Sequence, residues 1–210
     1  MCGRFAQTNI IKNTSDIVKS VIGQAQNIDN HNISPGQKAA VIKKYTNGKA
    51  LEILLWNIIP PWSKNIENFR PLYNTRVESL SKPYFKKISN FNRLVIPCTF
   101  YFEWTKSADK KKKPYCFKLK DNEVMFFCGI FDQNEFSILT TEADSENKSI
   151  HHRQPLIINK NKINDFLNLK NNINDVIDSI KYPKLDYWEI STLINNPKNN
   201  SPDLIKPLNN

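Results

Sequence analysis

Long apolar runs are missing from this 210-residue sequence. No stretch approaches the roughly 18 apolar residues that a membrane-spanning helix needs. The first residues, among them Arg4, Gln7 and Thr8, hold no apolar core of signal-peptide length. A soluble, cytoplasmic protein without a membrane partner is therefore expected, associated with the nucleoid if the cell is bacterial. Cysteine is sparse too. Cys2, Cys98, Cys116 and Cys128 match neither a zinc-ligand spacing nor a CxxC redox motif. The expectation is no metal, no cofactor and a reducing compartment. Acidic residues number 20 against 30 Lys and Arg, for a net charge of +10. Such a surplus fits a polyanionic partner, but nucleotide bias also enriches Lys and Asn, so charge alone does not establish nucleic acid. Neither an internal repeat nor a dividing linker is visible. One domain over residues 1–210, a monomer with a sizeable core, is the simplest organisation.

Within that frame, residues 14–28 carry a helical pattern (Ile17, Val18, Val21, Ile22) with Thr14 or Ser15 as cap and Gly23 near its end. Asn32 to Gly36 reads as a turn. The β-rich runs 39–45 and 50–56 flank Asn47-Gly48, a type I′ hairpin signal. A short helix and extension is expected over 76–88, and strands over 93–98 and 99–104. A Lys-rich connector follows at 106–113. Residues 115–120, 124–131 and 135–141 read as consecutive antiparallel strands, with Asp121-Asn122 as one turn. A short strand at 155–159, helices at 161–169 and 173–181, a strand at 187–193 and a Pro- and Asn-rich tail complete the chain. The expected class is α+β: a single domain with a mostly antiparallel, barrel-like sheet core and a few short flanking helices.

Several stretches carry groups that chemistry can use. Met1-Cys2-Gly3-Arg4 opens the chain, and Cys is small enough for the initiator Met to be removed. The freed Cys2 would hold an α-amine and a thiol on adjacent carbons. The amine condenses with an aldehyde to an imine, and the thiol closes on it to give a thiazolidine. Arg4 would favour the thiolate if it lies close. The plain alternative is an idle residue at a frayed terminus. Asn74 and Arg76, two apart in extended chain, share a face; alternatively Asn74 caps a helix and Arg76 is solvated. Glu103 stands between Phe102 and Trp104. If it is desolvated there, its pKa rises toward general-acid range; if it points outward, it does not. His151 and His152 precede Arg153, and imidazole near neutrality suits proton transfer, although a surface loop accounts for the run equally well. Trp56 and Trp62 are either base-stacking surfaces or core.

In this order, the stretches resemble the SRAP family, named for SOS-response-associated peptidases, whose members process abasic sites in single-stranded DNA. The resemblance runs through Met1 to Phe5, Asn32 to Gly36, Trp56 to Pro60, Asn74 to Glu78, Ile96 to Trp104, Leu139 to Ala143, His151 to Pro155 and Asn196 to Ile205. It implies that Cys2, after loss of Met1, bonds to the ring-opened aldehyde of an abasic deoxyribose and forms a protective thiazolidine crosslink. It also implies catalytic roles for Asn74, Glu103 and His151. Glu103 and His151 would be the acid/base pair and Asn74 would hold the sugar or the Cys2 backbone. Arg4, Arg76 and Arg153 would meet phosphates, with Pro35 and Trp62 near the DNA path. Met1 removal would be self-processing. The family usually has Gly where Asn57 and Phe100 stand, Asp where His152 stands and Met where Gln154 stands. His151 is taken as the catalytic imidazole because it stands two before the arginine.

Two other function classes remain open on the sequence. A non-catalytic single-strand binder would leave Cys2 idle and be blind to the lesion. A thiol or N-terminal-nucleophile hydrolase acting on other proteins would need an oxyanion hole and leaves the charge unexplained.

Overall fold

The computed structural model describes residues 2–63, 65–105, 112–121 and 124–208, apart from the side chains of 26 and 27. Along the chain lie β1 (Arg4–Gln7), α1 (Ile10–Thr14), β2 (Ser20–Val21), β3 (Asn30–Ile33), β4 (Lys38–Tyr45), β5 (Gly48–Trp56) and β6 (Asn74–Arg76). There follow α2 (Pro83–Phe91), β7 (Arg93–Cys98), β8 (Phe100–Trp104), β9 (Pro114–Leu119), β10 (Met125–Asp132) and β11 (Glu135–Glu142). The last elements are β12 (Arg153–Pro155), β13 (Ile157–Ile158), α3 (Ile163–Leu167), α4 (Ile173–Asp178) and β14 (Leu185–Glu189). Among the described residues no helix is long and apolar enough to cross a membrane.

The strands form two sheets. One is antiparallel, in the order β14-β9-β8-β1-β3. The other runs β12-β11-β10-β7-β4-β5-β2, with β13 beside β10 and β6 beside β11. A parallel contact of β11 with β5, Phe136 opposite Trp56, closes β4, β5, β11, β10 and β7 into a ring. The α+β class with a mostly antiparallel, barrel-like core is thus observed.

Burial explains why the central strands read as continuous apolar runs rather than alternations. On one face of β7 and β10, Leu94, Ile96 and Phe127 pack with Phe5, Trp56 and Tyr101 between the sheets. On the other, Val95, Phe126 and Cys128 pack with Ile163, Phe166 and Val176 of α3 and α4. The far side of the smaller sheet, Phe102 and Cys116, is covered by Ile190, Ile194 and Leu204 near the chain's end.

One buried amide joins the two sheets. β4 pairs with β7 at Ile42 and Val95, but Pro97 has no N–H with which to extend that ladder to Ala40. Gln7 of β1 fills the gap: its Oε1 accepts from Ala40 N at 2.8 Å, and its Nε2 donates to Ala40 O at 2.7 Å and Pro97 O at 2.8 Å. Gln7→Leu would leave these three backbone groups unpaired. At about 1–3 kcal/mol for each buried orphan, less what relaxation recovers, a loss of roughly 3–5 kcal/mol is expected in urea unfolding.

Several local expectations are corrected. No helix spans 14–28. The free backbone edge of β5 captures that segment, with Lys19 N donating to Lys49 O and Ile22 N to Leu51 O, each at 2.8 Å. Ser20–Val21 therefore becomes a parallel edge strand, and Gly23, at φ +61°, begins a 3-10 turn. The hairpin of β4 and β5 turns at Thr46-Asn47, with Tyr45 opposite Gly48. Positive φ falls on Gly48, not on Asn47, so the turn is not type I′. Asn32 lies in β3, and the turn comes after it. The region 76–88 divides into the end of β6, a 3-10 turn at Val77–Ser79 and α2, which Pro83 opens. β9 and β10 are not neighbours: β9 lies between β8 and β14, whereas β10 lies between β7 and β11. The chain changes sheets between them, a step that local pattern does not register. The later helices and β14 are shorter than expected. Asn122 of the expected turn and residues 106–111 of the Lys-rich connector lie outside the described residues.

Candidate active site

Pairing of β1 with β8 sets Arg4 opposite Phe102 in antiparallel register, so the residues before Arg4 run beside those after Phe102. Cys2 and Glu103 come together for that reason. Cys2 is fully buried in the inter-sheet core, and its carbonyl accepts from Asn74 Nδ2 at 2.9 Å. Burial, and then the nearby Glu103 carboxylate, push the Cys2 thiol well above its ordinary value. The Arg4 backbone opposes this only weakly, and the Arg4 side chain not at all. Its guanidinium donates to Asn32 Oδ1 at 3.0 Å and Asn195 O at 2.7 Å, and lies 6.0 Å from the Trp104 ring centre. The expectation that Arg4 favours the thiolate is therefore corrected.

Glu103 shares its strand face with Tyr101, the face turned to the inter-sheet core, and is only 4% exposed. Desolvation raises its carboxyl to about 7. Of the two readings of Glu103, the desolvated one holds. His151 follows a 3-10 turn braced by the side chains of Asp144, Asn147 and Gln154. Arg153 N–H donates to His151 Nδ1 at 3.0 Å. Nδ1 also lies 3.1 Å from the Arg153 carbonyl oxygen, so it accepts from the N–H in one tautomer and donates to the carbonyl in the other.

Gly3, Arg4, Glu103, Trp104, His151 and Asn195 are among the residues lining one cavity of about 540 Å³. The other expected residues are spread more widely. Asn74 and Arg76 share a face of β6, with Arg76 exposed, so the extended reading of that stretch holds. Pro35 sits half-buried in the turn after β3. Trp62 is exposed, its ring perpendicular to that of Tyr84 with centroids 4.6 Å apart. Neither lines the cavity. Trp56 is core: it is fully buried, and its Nε1 donates to Tyr73 O. Arg153 is placed differently from expectation. It is buried, and its terminal nitrogens close on Glu78 at 2.7 and 3.0 Å and on Thr140 O. That ion pair holds the Glu78 carboxyl below its usual range and keeps the guanidinium fork from an outside phosphate. A buried cation needs such a partner.

Asn32, Trp104 and Asn195 escaped the reading of single residues. Asn32 Oδ1 accepts from Arg4 while its Nδ2 donates to Asn196 O and Asn199 O, each at 3.0 Å. Trp104 Nε1 donates to Asn195 Oδ1 at 2.7 Å. The sequence separation from Arg4 to Asn195 is 191 residues, and no local pattern carries a contact of that range. Among the described residues no cluster of His, Cys, Asp and Glu could hold a metal, and the four cysteines are free thiols.

A family model described as SOS response associated peptidase (SRAP) matches residues 1–197. The abasic site processing protein YoqW of Bacillus subtilis is 30% identical over 98% of this chain and 99% of its own length. YoaM, an abasic site processing protein of the same bacterium, is 28% identical over 98% of this chain and 97% of its own. A crystal structure of a protein from Bacteroides thetaiotaomicron matches with a TM-score of 0.83 at 21% identity, covering 99% of this chain and 100% of that one. A second, from Bordetella bronchiseptica, matches with a TM-score of 0.74 at 16% identity, covering 90% and 100%. At such identities the structural likeness bears on the fold alone. The match of the family model, over nearly the full length, places this chain in the SRAP family.

Proposed function

We propose that this protein processes abasic sites in single-stranded DNA by bonding covalently to them through Cys2. The observation that carries the reading is the convergence of Cys2, held by Asn74, with a desolvated Glu103 and with His151 beside one cavity in a basic protein. The naming of its Bacillus relatives as abasic site processing proteins supports it.

Removal of Met1, by the protein itself, frees the Cys2 amine. The abasic sugar spends most of its time as a closed hemiacetal, so it must open before it can react. Glu103, half protonated near pH 7, donates a proton to the ring oxygen and the C1′ aldehyde emerges. The amine adds to C1′ and, as water departs, leaves an imine; His151 handles protons in this step. The thiol then adds to the same carbon, forming the C–S bond, and its proton passes to the nitrogen. The net change is the loss of one water. A thiol held protonated suits this order, because it closes on an imine already formed beside it. Asn74 keeps the Cys2 carbonyl in place, and its buried Oδ1, which has no hydrogen-bond partner, can accept from the substrate or the freed amine. Arg4 and Arg76 meet the phosphates, with Pro35 and Trp62 along the strand's path.

The test is intact mass spectrometry after incubation with an oligonucleotide containing one abasic site. The expected species has the mass of the Met1-free protein plus the oligonucleotide minus one water, and it survives heating. If Met1-free protein binds the oligonucleotide yet forms no adduct, the covalent reading is wrong, and a non-catalytic binder replaces it.

A further inference from the structure

His152 is not used by this mechanism, although it touches a residue that is. Its ring stacks on that of His151, with centroids 4.4 Å apart and planes at 26°. The two rings serve different hollows: His151 lines the large cavity, and His152 lines a neighbouring one of about 220 Å³. The second hollow is also lined by Arg76 of β6, Glu142 of β11, Lys148 of the turn before His151, and Arg153 of β12. The side chains of Arg76, Glu142, Lys148 and His152 are exposed, while Arg153 is buried. Ala143 N–H donates to the His152 carbonyl at 3.0 Å and fixes its backbone to the end of β11.

The charges of this hollow are finely balanced. Arg153 is neutralised by Glu78 behind it, and Glu142 offsets one of Arg76 and Lys148. Among the described residues that line it, one cation is left in excess while His152 is neutral. A proton on His152 doubles that excess. Arg153 keeps its fork on Glu78, so among the described residues of this hollow the cationic groups that can meet a phosphate are Arg76, Lys148 and protonated His152.

We propose that this hollow is a phosphate subsite for a nucleotide flanking the one in the large cavity, and that His152 makes its grip on the strand proton-dependent. The inference rests on the single-strand reading above and adds Lys148 and His152 to the residues that hold the substrate. A phosphate favours the imidazolium, whose ordinary pKa is about 6.5, so binding takes up a proton and affinity rises as pH falls. His151, Arg76, Lys148 and Arg153 oppose His152 protonation, Glu142 and Glu78 favour it, and an arriving phosphate tips the balance further.

The experiment is the salt dependence of binding to a labelled, lesion-free single-stranded oligonucleotide, measured at about pH 5.5 and pH 8 so that no covalent step intervenes. One added phosphate contact steepens the slope of log K against log salt by about 0.7. The wild type should show that steepening at the lower pH. His152→Asn should have the shallower slope at both pH values, and His152→Lys the steeper slope at both. A pH-independent wild-type slope, or a His152→Asn protein that keeps the pH dependence, overturns the inference and leaves the single-strand reading standing. Absence of any binding by the wild type overturns both.

Discussion

Cys2→Ala, after removal of Met1, should give no heat-stable adduct with abasic DNA. Its α-amine still condenses with the aldehyde, so an imine forms that borohydride can trap. Without the thiol nothing removes that imine, and a Schiff base at C1′ acidifies the neighbouring C2′ proton and permits strand cleavage by elimination. The expected result on a denaturing gel is therefore a change of product: uncut, crosslinked strand with the wild type, and cleaved strand plus a trappable adduct with the variant. Retention of a heat-stable adduct would place the bond elsewhere, on a lysine for instance. The substitution also trims a fully buried side chain, so binding of lesion-free oligonucleotide serves as the control for folding. That binding should be unchanged within about twofold, a free-energy change of roughly 0.4 kcal/mol.

Glu103→Gln should slow adduct formation by about 10²–10⁴-fold, the usual contribution of a positioned general acid. It should also remove a feature of the pH profile. The wild-type rate with abasic DNA should fall as pH rises through about 7, where Glu103 loses its proton, whereas the variant's residual rate should show no break there. The stability effect has the opposite sign. Glu103 binds its proton more tightly folded than unfolded, because burial lifts its carboxyl from 4.5 to about 7. Between those values the folded state holds more protons than the unfolded state, so stability falls with rising pH and the deficit is complete above about 7. The amide that replaces the carboxyl in the variant carries no charge to desolvate. The variant should therefore be more stable than wild type at pH 8, by up to roughly 2–3 kcal/mol, and nearly equal to it at pH 4. Thermal melts at the two pH values check the sign. A variant that is both inactive and destabilised at pH 8 would mean that Glu103 is a structural residue.

The residues that the sequence singled out differ in how much they revealed. Cys2 is conspicuous because loss of Met1 would leave an aminothiol at the chain start, and the chemistry of that pair needs no fold to define it. Class and sheet character were legible for a similar reason. Dense β-branched and aromatic runs at 93–104 and 124–141 can satisfy their backbone groups in a sheet and their side chains in a two-sided core. The short edge elements were not legible. Residues 17–22 carry a helical pattern of apolar positions, but the open edge of β5 offers hydrogen bonds that outweigh so weak a preference.

By itself, the sequence determined the place of a cysteine beside the initiator Met, the basic charge, the sheet-rich class and the family. These are properties of composition, of a terminal residue's covalent structure and of local runs, and they survive any arrangement of the chain in space. Only the tertiary structure decided what surrounds each side chain. It placed Glu103 on the buried face of β8, closed the fork of Arg153 on Glu78, and turned Arg4 toward Asn32 and Asn195 rather than toward the thiol. It also set His151 and His152, adjacent in sequence, against two different hollows. Desolvation and charge pairing depend on which distant segments come to lie within a few ångströms, and that information appears only when the strands have found their partners.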